Sequence, residues 1–329
     1  MRAQSCRICG STDLKALPMG QYAEFFRLRV DTSKDEFLLY TRTGSITTKP
    51  MSLAARKRRM SGKPMKETGP VKQLRTYLQA CELCHSVTPC HEYSYEDLLG
   101  LYRDYRSETY NRDRISVEPS YARIAKDVGT HPLETANRNL AVDGFLRKNA
   151  SQFSGGDLLD YGGSDGQFLP PFVHERFGTL YVYDPSDARL HPSVDGRKVK
   201  KIAVMRPEGY SFITCMHVLE HLGNPRAFTI EALRFLAPGG LIYIEVPLAL
   251  NKFIRDDFAQ NIVDMPIRIH EHMNLFDRMG IRGLVASIAD LEMVDDAEDV
   301  VDFGWTTGLI GRFLARRTVS GTERSRKPQ

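Results

Sequence analysis

The stretch 157-DLLDYGGSDGQFL-169 decides how the rest of the chain is interpreted. Its apolar pair Leu158-Leu159 leads into Asp160 and predicts a buried strand. Three glycines then predict a tight turn, which we expect to open onto a helix: Gly162, Gly163 and Gly166. Glycines at such a turn let the backbone approach a ligand that any Cβ would keep away. The stretch therefore predicts a strand, a turn and a helix, with a ligand at the turn.

Length and composition are those of a globular protein. The chain has 329 residues, of which 42% are hydrophobic and 26% charged, and a formal net charge of +4. This is enough for a catalytic domain and a smaller module. The sequence contains no apolar run of about 18 residues and no secretory leader, so we expect a cytoplasmic protein without a membrane-spanning segment.

The positive charge is concentrated in two places. Residues 49–75 contain nine Lys or Arg and one acid, Glu67, and six more basic residues follow from Arg312 onward. We expect a disordered insertion at 44–72 and a disordered tail at 318–329. Both stretches can contact phosphates, although solvated loops and tails often have the same composition.

Two CxxC pairs characterise residues 1–100, and they predict a zinc-binding module: Cys6, Cys9, Cys81 and Cys84. Each pair can give two thiolates to one tetrahedral Zn²⁺, and two pairs complete a closed structural site. Spare candidate ligands are Cys90, His85 and His91. The alternative is a set of reduced, buried thiols without metal, since disulfides are not expected in a cytoplasmic protein.

Residues 101–150 are predicted to be a helical linker in which tyrosines alternate with arginines near the start. Two interpretations stay open for this aromatic and basic segment. In the first, the segment binds a phosphorylated or sugar substrate. In the second, its tyrosines pack against the next domain.

Short strands and helices alternate after the glycine turn, which predicts a doubly wound parallel sheet in residues 151–317. Predicted strands include 179–183, 211–216 and 241–246. Asp184 ends the strand that follows the turn, where an acid commonly accepts hydrogen bonds from a ribose. Ligands of such sheets bind at the carboxyl ends of the strands.

The order of DYGGSDGQFL, YVYDPS, FITCMHVLEHLGNP, LAPGGLIYIEVP and IHEHMNLF resembles class I S-adenosylmethionine (SAM) methyltransferases over nearly all of residues 150–317. Together with the CxxC pairs, it resembles the sugar C-methyltransferases that carry a zinc module. The resemblance implies a Rossmann-like sheet with SAM at the glycine turn, where Gly162, Gly163 and Gly166 line its methionine part. It also implies that Asp160 holds the amino group, that Asp184 holds the ribose, and that further cofactor contacts come from Asp165, Cys215, Met216 and His217. Ser164 and Ile269 depart from the pattern of those relatives.

Methyl transfer to a hydroxyl needs a base near the methyl group. We expect His272 to be that base, with Glu271 orienting it and His217 beside the cofactor. In the alternative, these residues only tie a loop to the sheet. The segment 217–221 also matches the HxxEH signature of inverted zinc proteases, but its place directly after a strand disfavours that function. A metal at His270 and His272 has no identifiable third ligand in the sequence.

The sequence thus predicts a SAM-dependent methyltransferase with a structural Zn²⁺, acting at a hydroxyl of a small molecule, saccharide or nucleotide sugar. One alternative is an RNA methyltransferase that uses the zinc module and the basic segments. A second alternative is a non-catalytic partner protein that keeps the SAM fold.

Overall fold

A computed structural model describes residues 5–22, 29, 75–89, 93–186, 188–194, 198–249 and 272–318. The insertion predicted at 44–72 lies outside the described residues, as does the predicted tail apart from Thr318. None of the helices in these ranges is both long and apolar enough to cross a bilayer.

The N-terminal part forms a small antiparallel sheet of three strands: β1 (Leu14–Tyr22), β2 (Arg75–Cys81) and β3 (Val87–Pro89). Strand β2 pairs with both of the others. This places Cys81, the last residue of β2, beside the loop that carries Cys6 and Cys9.

Three helices connect this sheet to the second part of the chain: α1 (Tyr95–Tyr102), α2 (Glu108–Val117) and α3 (Pro132–Asn149). A 3₁₀ turn at Pro119–Arg123 separates α2 from α3. Ser94 begins α1 with a capping box, in which its side chain accepts from the backbone of Asp97 and the Asp97 side chain accepts in return. Residues 101–150, for which a helical linker is predicted, contain α2, α3 and the end of α1, and α3 packs against the large sheet.

The second part contains a sheet of seven strands: β4 (Leu158–Tyr161), β5 (Leu180–Tyr183), β6 (Val199–Lys201), β7 (Tyr210–Met216), β8 (Leu236–Pro247), β9 (Leu291–Asp302) and β10 (Thr307–Arg317). Their spatial order is β6-β5-β4-β7-β8-β10-β9. The first five strands are parallel, and β10 is antiparallel to both of its neighbours. The predicted doubly wound α/β fold is confirmed, and its strand order reverses between β4 and β7.

Within the described residues, the helices of this part are α4 (Pro171–Arg176), α5 (Pro225–Leu233) and α6 (Arg278–Ala286). One local prediction was wrong. The glycine turn does not open directly onto a helix, because α4 begins only at Pro171, after the N-cap Pro170. The segment after β7 forms a 3₁₀ turn, Leu219–His221, and α5 begins after the N-cap Asn224.

Three of the basic residues from Arg312 onward lie before the predicted tail: Arg312, Arg316 and Arg317 belong to β10, and Arg312 is fully buried. Residues 310–315 are all buried, so this strand is covered on both faces and carries Arg312 into the interior.

The cysteine module shares a hydrophobic core with the large sheet. One cluster of buried residues includes all four cysteines of the CxxC pairs, the apolar face of α6 and one face of the sheet. The contact is close because α6 has glycine at its surface. A Cβ on Gly283 would lie 3.0 Å from Cβ of Cys9 and 3.1 Å from Cβ of Cys84.

Replacing Gly283 by alanine tests this packing. Alanine favours a helix by about 1 kcal/mol over glycine, but here the new methyl meets two fixed cysteines, and overpacking costs about 1–3 kcal/mol. We expect Gly283→Ala to lower the melting temperature measured by calorimetry. The matched control is Gly144→Ala in α3, where a Cβ would meet nothing within 4 Å, and this variant should be stabilised. Equal stabilisation of both variants would contradict the close contact.

Candidate active site

The glycine turn at the end of β4 is built around close approaches that only glycine permits. Gly162 has a φ of +81°, and a Cβ there would lie 2.6 Å from Cγ2 of Val218. A Cβ on Gly163 would lie 2.0 Å from Oδ2 of Asp160. The turn thus holds the backbone directly against the Asp160 carboxylate and the segment after β7.

Asp184 joins the end of β5 to this turn. Its Oδ2 accepts a hydrogen bond of 3.0 Å from the backbone nitrogen of Ser164, and its Oδ1 accepts one of 2.8 Å from Ser186. The residue is only partly buried. Carboxylate oxygens keep further lone pairs, so Asp184 can still accept hydrogen bonds from ligand hydroxyls.

Asp160 is a buried carboxyl group, and one of its two oxygens has no hydrogen-bond partner among the described residues. Its Oδ1 accepts a hydrogen bond of 2.7 Å from the Thr214 hydroxyl, while Oδ2 is buried without a hydrogen-bond partner. Burial raises the pKa of Asp160 to about 7, with repulsion from Asp184 adding to it and the Thr214 bond opposing it. An unpaired buried oxygen beside a glycine turn fits a ligand that brings a hydrogen-bond donor or a positive charge.

The other predicted cofactor contacts differ in what their side chains do. Asp165 accepts a hydrogen bond of 3.1 Å from the backbone of Gln167 and so supports the turn itself. Cys215 and Met216 are buried in β7 and belong to the two core clusters. Their backbone is therefore the part that can line a cofactor site.

His217 follows β7 in a left-handed backbone conformation, with a φ of +57°. Such a conformation is uncommon outside glycine and is often found at functional sites. Its ring lies between two buried acids, with Nδ1 3.4 Å from Oε1 of Glu220 and Nε2 3.2 Å from Oε1 of Glu245. Burial and Arg138 act to lower the pKa of His217, but the two carboxylates outweigh them and raise it.

Glu245 is the centre of a buried charge network that the sequence analysis missed. Its Oε2 lies 3.0 Å from Nε of Arg312 and accepts a hydrogen bond of 3.0 Å from the Tyr243 hydroxyl. Arg138 of α3 approaches Oε1 at 3.4 Å. Burial would raise the pKa of Glu245, but His217 and the two arginines hold it well below its usual range. The available signal was an acid inside the apolar run of β8 and an arginine inside that of β10.

A second cluster brings His272 to the turn after β7. Ligand atoms of Glu220, His221 and His272 all lie within 4.8 Å of one another. Glu220 is fully buried, and although burial acts to raise its pKa, the surrounding histidines hold the pKa at about 2. The structure thus supplies partners for His272 that its sequence neighbourhood did not indicate. His270 and Glu271 lie outside the described residues.

The four cysteines of the CxxC pairs come together as predicted. Sγ of Cys6 lies 3.7 Å from that of Cys84, and Sγ of Cys9 lies 3.5 Å from that of Cys81. Zn–S bonds of about 2.3 Å in a tetrahedron separate the sulfurs by about 3.8 Å, so this spacing fits one Zn²⁺. A hydrogen bond with Cys84 lowers the pKa of Cys6 to about 5, while burial raises that of Cys9 to about 12.

Comparison with known proteins agrees with this geometry. Residues 134–295 match the model of a family described as a methyltransferase domain. A ubiquinone biosynthesis O-methyltransferase from Idiomarina loihiensis is 28% identical over 112 residues, which cover 30% of this chain and 46% of that protein. The chain thus spans about half the length of this curated relative.

Solved structures with a similar fold have low sequence identity to this chain. The 1,6-didemethyltoxoflavin-N1-methyltransferase of Burkholderia thailandensis is 14% identical, with coverage of 71% of this chain and 96% of that one and a TM-score of 0.47. A SAM-dependent methyltransferase from Leishmania major is 12% identical, with coverage of 67% and 82% and a TM-score of 0.45. These scores are too low to add to the assignment, which rests on the family match and on the glycine turn within the doubly wound sheet. Residues 134–295, just under half of the chain, thus match a methyltransferase domain, and they contain the glycine turn and the parallel strands of the doubly wound sheet.

Proposed function

We propose that the protein transfers a methyl group from SAM to a hydroxyl of a small molecule or saccharide, which includes nucleotide sugars. The observation that carries the proposal is the arrangement at the ends of β4 and β5. There Asp160 and Asp184 flank a turn in which Gly162 and Gly163 leave no room for a Cβ. Such an arrangement suits a nucleoside that carries a positively charged group, because one acid can accept hydrogen bonds from the ribose and the other can face the positive charge.

In the proposed complex, Gly162, Gly163 and Gly166 line the methionine part of SAM. The free Oδ2 of Asp160 faces the amino group, directly or through water. Asp184 accepts hydrogen bonds from the ribose hydroxyls. SAM supplies the electrophilic methyl group, and the remaining chemistry falls to residues after β7.

Methyl transfer is an in-line displacement. A bond forms between the acceptor oxygen and the methyl carbon, the carbon–sulfur bond breaks, and its electron pair goes to sulfur. The hydroxyl proton must pass to a base. His272, His217 and Glu271 remain our candidates, and His217 is held in place by Glu220 and Glu245.

The choice of a hydroxyl acceptor is supported by the name of the relative from Idiomarina loihiensis, an O-methyltransferase. The cysteine cluster is shared in pattern with zinc-bearing sugar methyltransferases, which supports a saccharide. No comparison supports an RNA acceptor, and burial of Arg312 removes one of the basic residues that the RNA alternative invoked.

SAM binding tests the central part of the proposal. We expect titration calorimetry to show binding, and Asp184→Ala to weaken it about 10- to 100-fold, because hydrogen bonds to a charged group contribute about 1.5–3 kcal/mol each. Asp157→Ala is the matched control at the opposite end of β4, where Asp157 pairs with Arg206, and it should leave SAM affinity unchanged. Absence of binding, or equal effects of both variants, would refute the proposed cofactor site.

The pKa of Asp160 predicts how SAM affinity depends on pH. The positive charge of SAM favours the ionised carboxylate, but with a pKa of about 7 the free protein holds a proton there at lower pH. Affinity should therefore fall up to about 10-fold for each pH unit below 7 and level off above it. Asp160→Asn should bind more weakly and without this dependence. Calorimetry at about pH 5.5–8.5 measures the SAM affinity of both proteins. An affinity of the unmodified protein that does not change with pH would contradict the proposed contact between Asp160 and the charge of SAM.

We also propose that Cys6, Cys9, Cys81 and Cys84 hold one structural Zn²⁺. Zinc analysis should find about one tightly held ion per chain at this site. Cys81→Ser should lose it and melt at a lower temperature, because the metal would no longer link the two CxxC pairs. Cys215→Ala removes a buried thiol outside the cluster and should keep the zinc. Full zinc content in Cys81→Ser would show that the cluster is not the site.

A further inference from the structure

Glu220, His221 and His272 form a group whose composition is that of a metal site. They come from two separate segments, the 3₁₀ turn after β7 and the stretch before α6. Nε2 of His221 lies 3.8 Å from Oε1 of Glu220, and the two imidazole rings have centroids 4.9 Å apart. One carboxylate and two imidazoles, with ligand atoms within 4.8 Å of one another, match the triads that bind divalent transition metals.

An independent observation comes from the Glu220 carboxylate. The side chain has no exposed surface, and within the part of the chain that the structure describes neither of its oxygens has a hydrogen-bond partner. A buried carboxylate without such partners is costly unless a positive charge compensates it. The ring nitrogens beside it lie 3.4 and 3.8 Å away, which leaves room for a closer ligand.

The orientation of His221 fits the same role. The Tyr102 hydroxyl lies 2.9 Å from its Nδ1. When that oxygen accepts the Nδ1 proton, Nε2 is the unprotonated nitrogen of the ring, and it lies 3.8 Å from Oε1 of Glu220. Metal-binding histidines commonly have their second nitrogen fixed by such a partner.

We infer that Glu220, His221 and His272 bind one divalent transition-metal cation, with open positions that the acceptor hydroxyl occupies. Two imidazole ligands favour zinc and its first-row neighbours over magnesium and calcium. The role assigned to the metal rests on the proposed methyl transfer to oxygen, whereas metal binding itself does not.

Within that reaction, the cation would lower the pKa of the bound hydroxyl, as bound metals do for water. The proton then passes to His217, which lies beside Glu220 and is not one of the three ligands. The acceptor oxygen displaces sulfur from the methyl carbon, and S-adenosylhomocysteine leaves. His272 becomes a ligand, and the role of base falls to His217.

Cobalt titration distinguishes this site from the cysteine cluster. Protein that retains zinc on its cysteines after brief chelation is titrated with Co²⁺ and followed by absorption. We expect one further equivalent to bind, with ligand-field bands but without the charge-transfer bands of cobalt thiolates. No binding, or binding with thiolate bands only, would overturn the inference.

Three variants locate the ion. His272→Ala and Glu220→Gln should weaken Co²⁺ binding at least about 10-fold, and Tyr102→Phe by about 10-fold through loss of the Nδ1 partner. His174→Ala in α4 is the histidine control and should bind like the unmodified protein. Circular dichroism and SAM affinity report whether each variant is folded. Because His272 is only partly buried, His272→Ala should fold and remain a valid test even if Glu220→Gln misfolds. Unchanged Co²⁺ affinity in folded His272→Ala would refute the site.

The two proposals fail in different ways. If Co²⁺ binds as expected but SAM does not, the metal site stands and the proposed function falls. If SAM binds and methyl transfer proceeds at full rate in the chelated protein, the function stands and the catalytic role of the metal is overturned, whereas the site itself is judged by the Co²⁺ titration.

Discussion

Three buried carboxylates at the carboxyl edge of the sheet determine which charges the rest of the site must supply. Asp160, Glu220 and Glu245 are each at most 1% exposed. Charges in such surroundings must be protonated, paired or bound to a cation. Glu245 is paired with two arginines, burial raises the pKa of Asp160 to about 7, and the charged groups that hold the pKa of Glu220 low are histidines. The pairing of Glu245 matters for folding, the pKa of Asp160 for the proposed cofactor binding, and the surroundings of Glu220 for the proposed acceptor chemistry.

The sequence was sufficient for features that depend on short-range patterns. The glycine turn, the acid at Asp184 and the alternation of strands and helices follow from local spacing, so the doubly wound sheet could be predicted from them. The cysteine cluster was predictable in the same way, because each CxxC pair holds two thiols close together and the pairing of β1 with β2 brings the two pairs together. Helix bounds were less accurate where prolines intervene, as after the glycine turn.

Long-range charge pairing was not predictable. Arg138, Glu245 and Arg312 come from a helix and two strands far apart in the chain, and no local pattern connects them. The same holds for His272, which the sequence places in a loop with His270 and Glu271 and the structure places against Glu220 and His221. The residues that lie beside His272 come about 50 residues earlier in the chain, and Asn274 joins the two segments through hydrogen bonds to the backbone of Leu219, Glu220 and Leu222.

The register of the last strand has a consequence for how the protein matures. Arg312 lies directly opposite Glu245 in the antiparallel pair of β10 and β8, and a shift by one residue would turn its side chain to the other face of the sheet. During synthesis, every residue placed in the active site emerges before this arginine does. Until β10 docks in register, Glu245 lacks one of its two arginines and His217 is held by an incompletely neutralised acid. Docking of β10 is thus also the step at which Glu245 gains its second arginine and the charges around His217 are balanced.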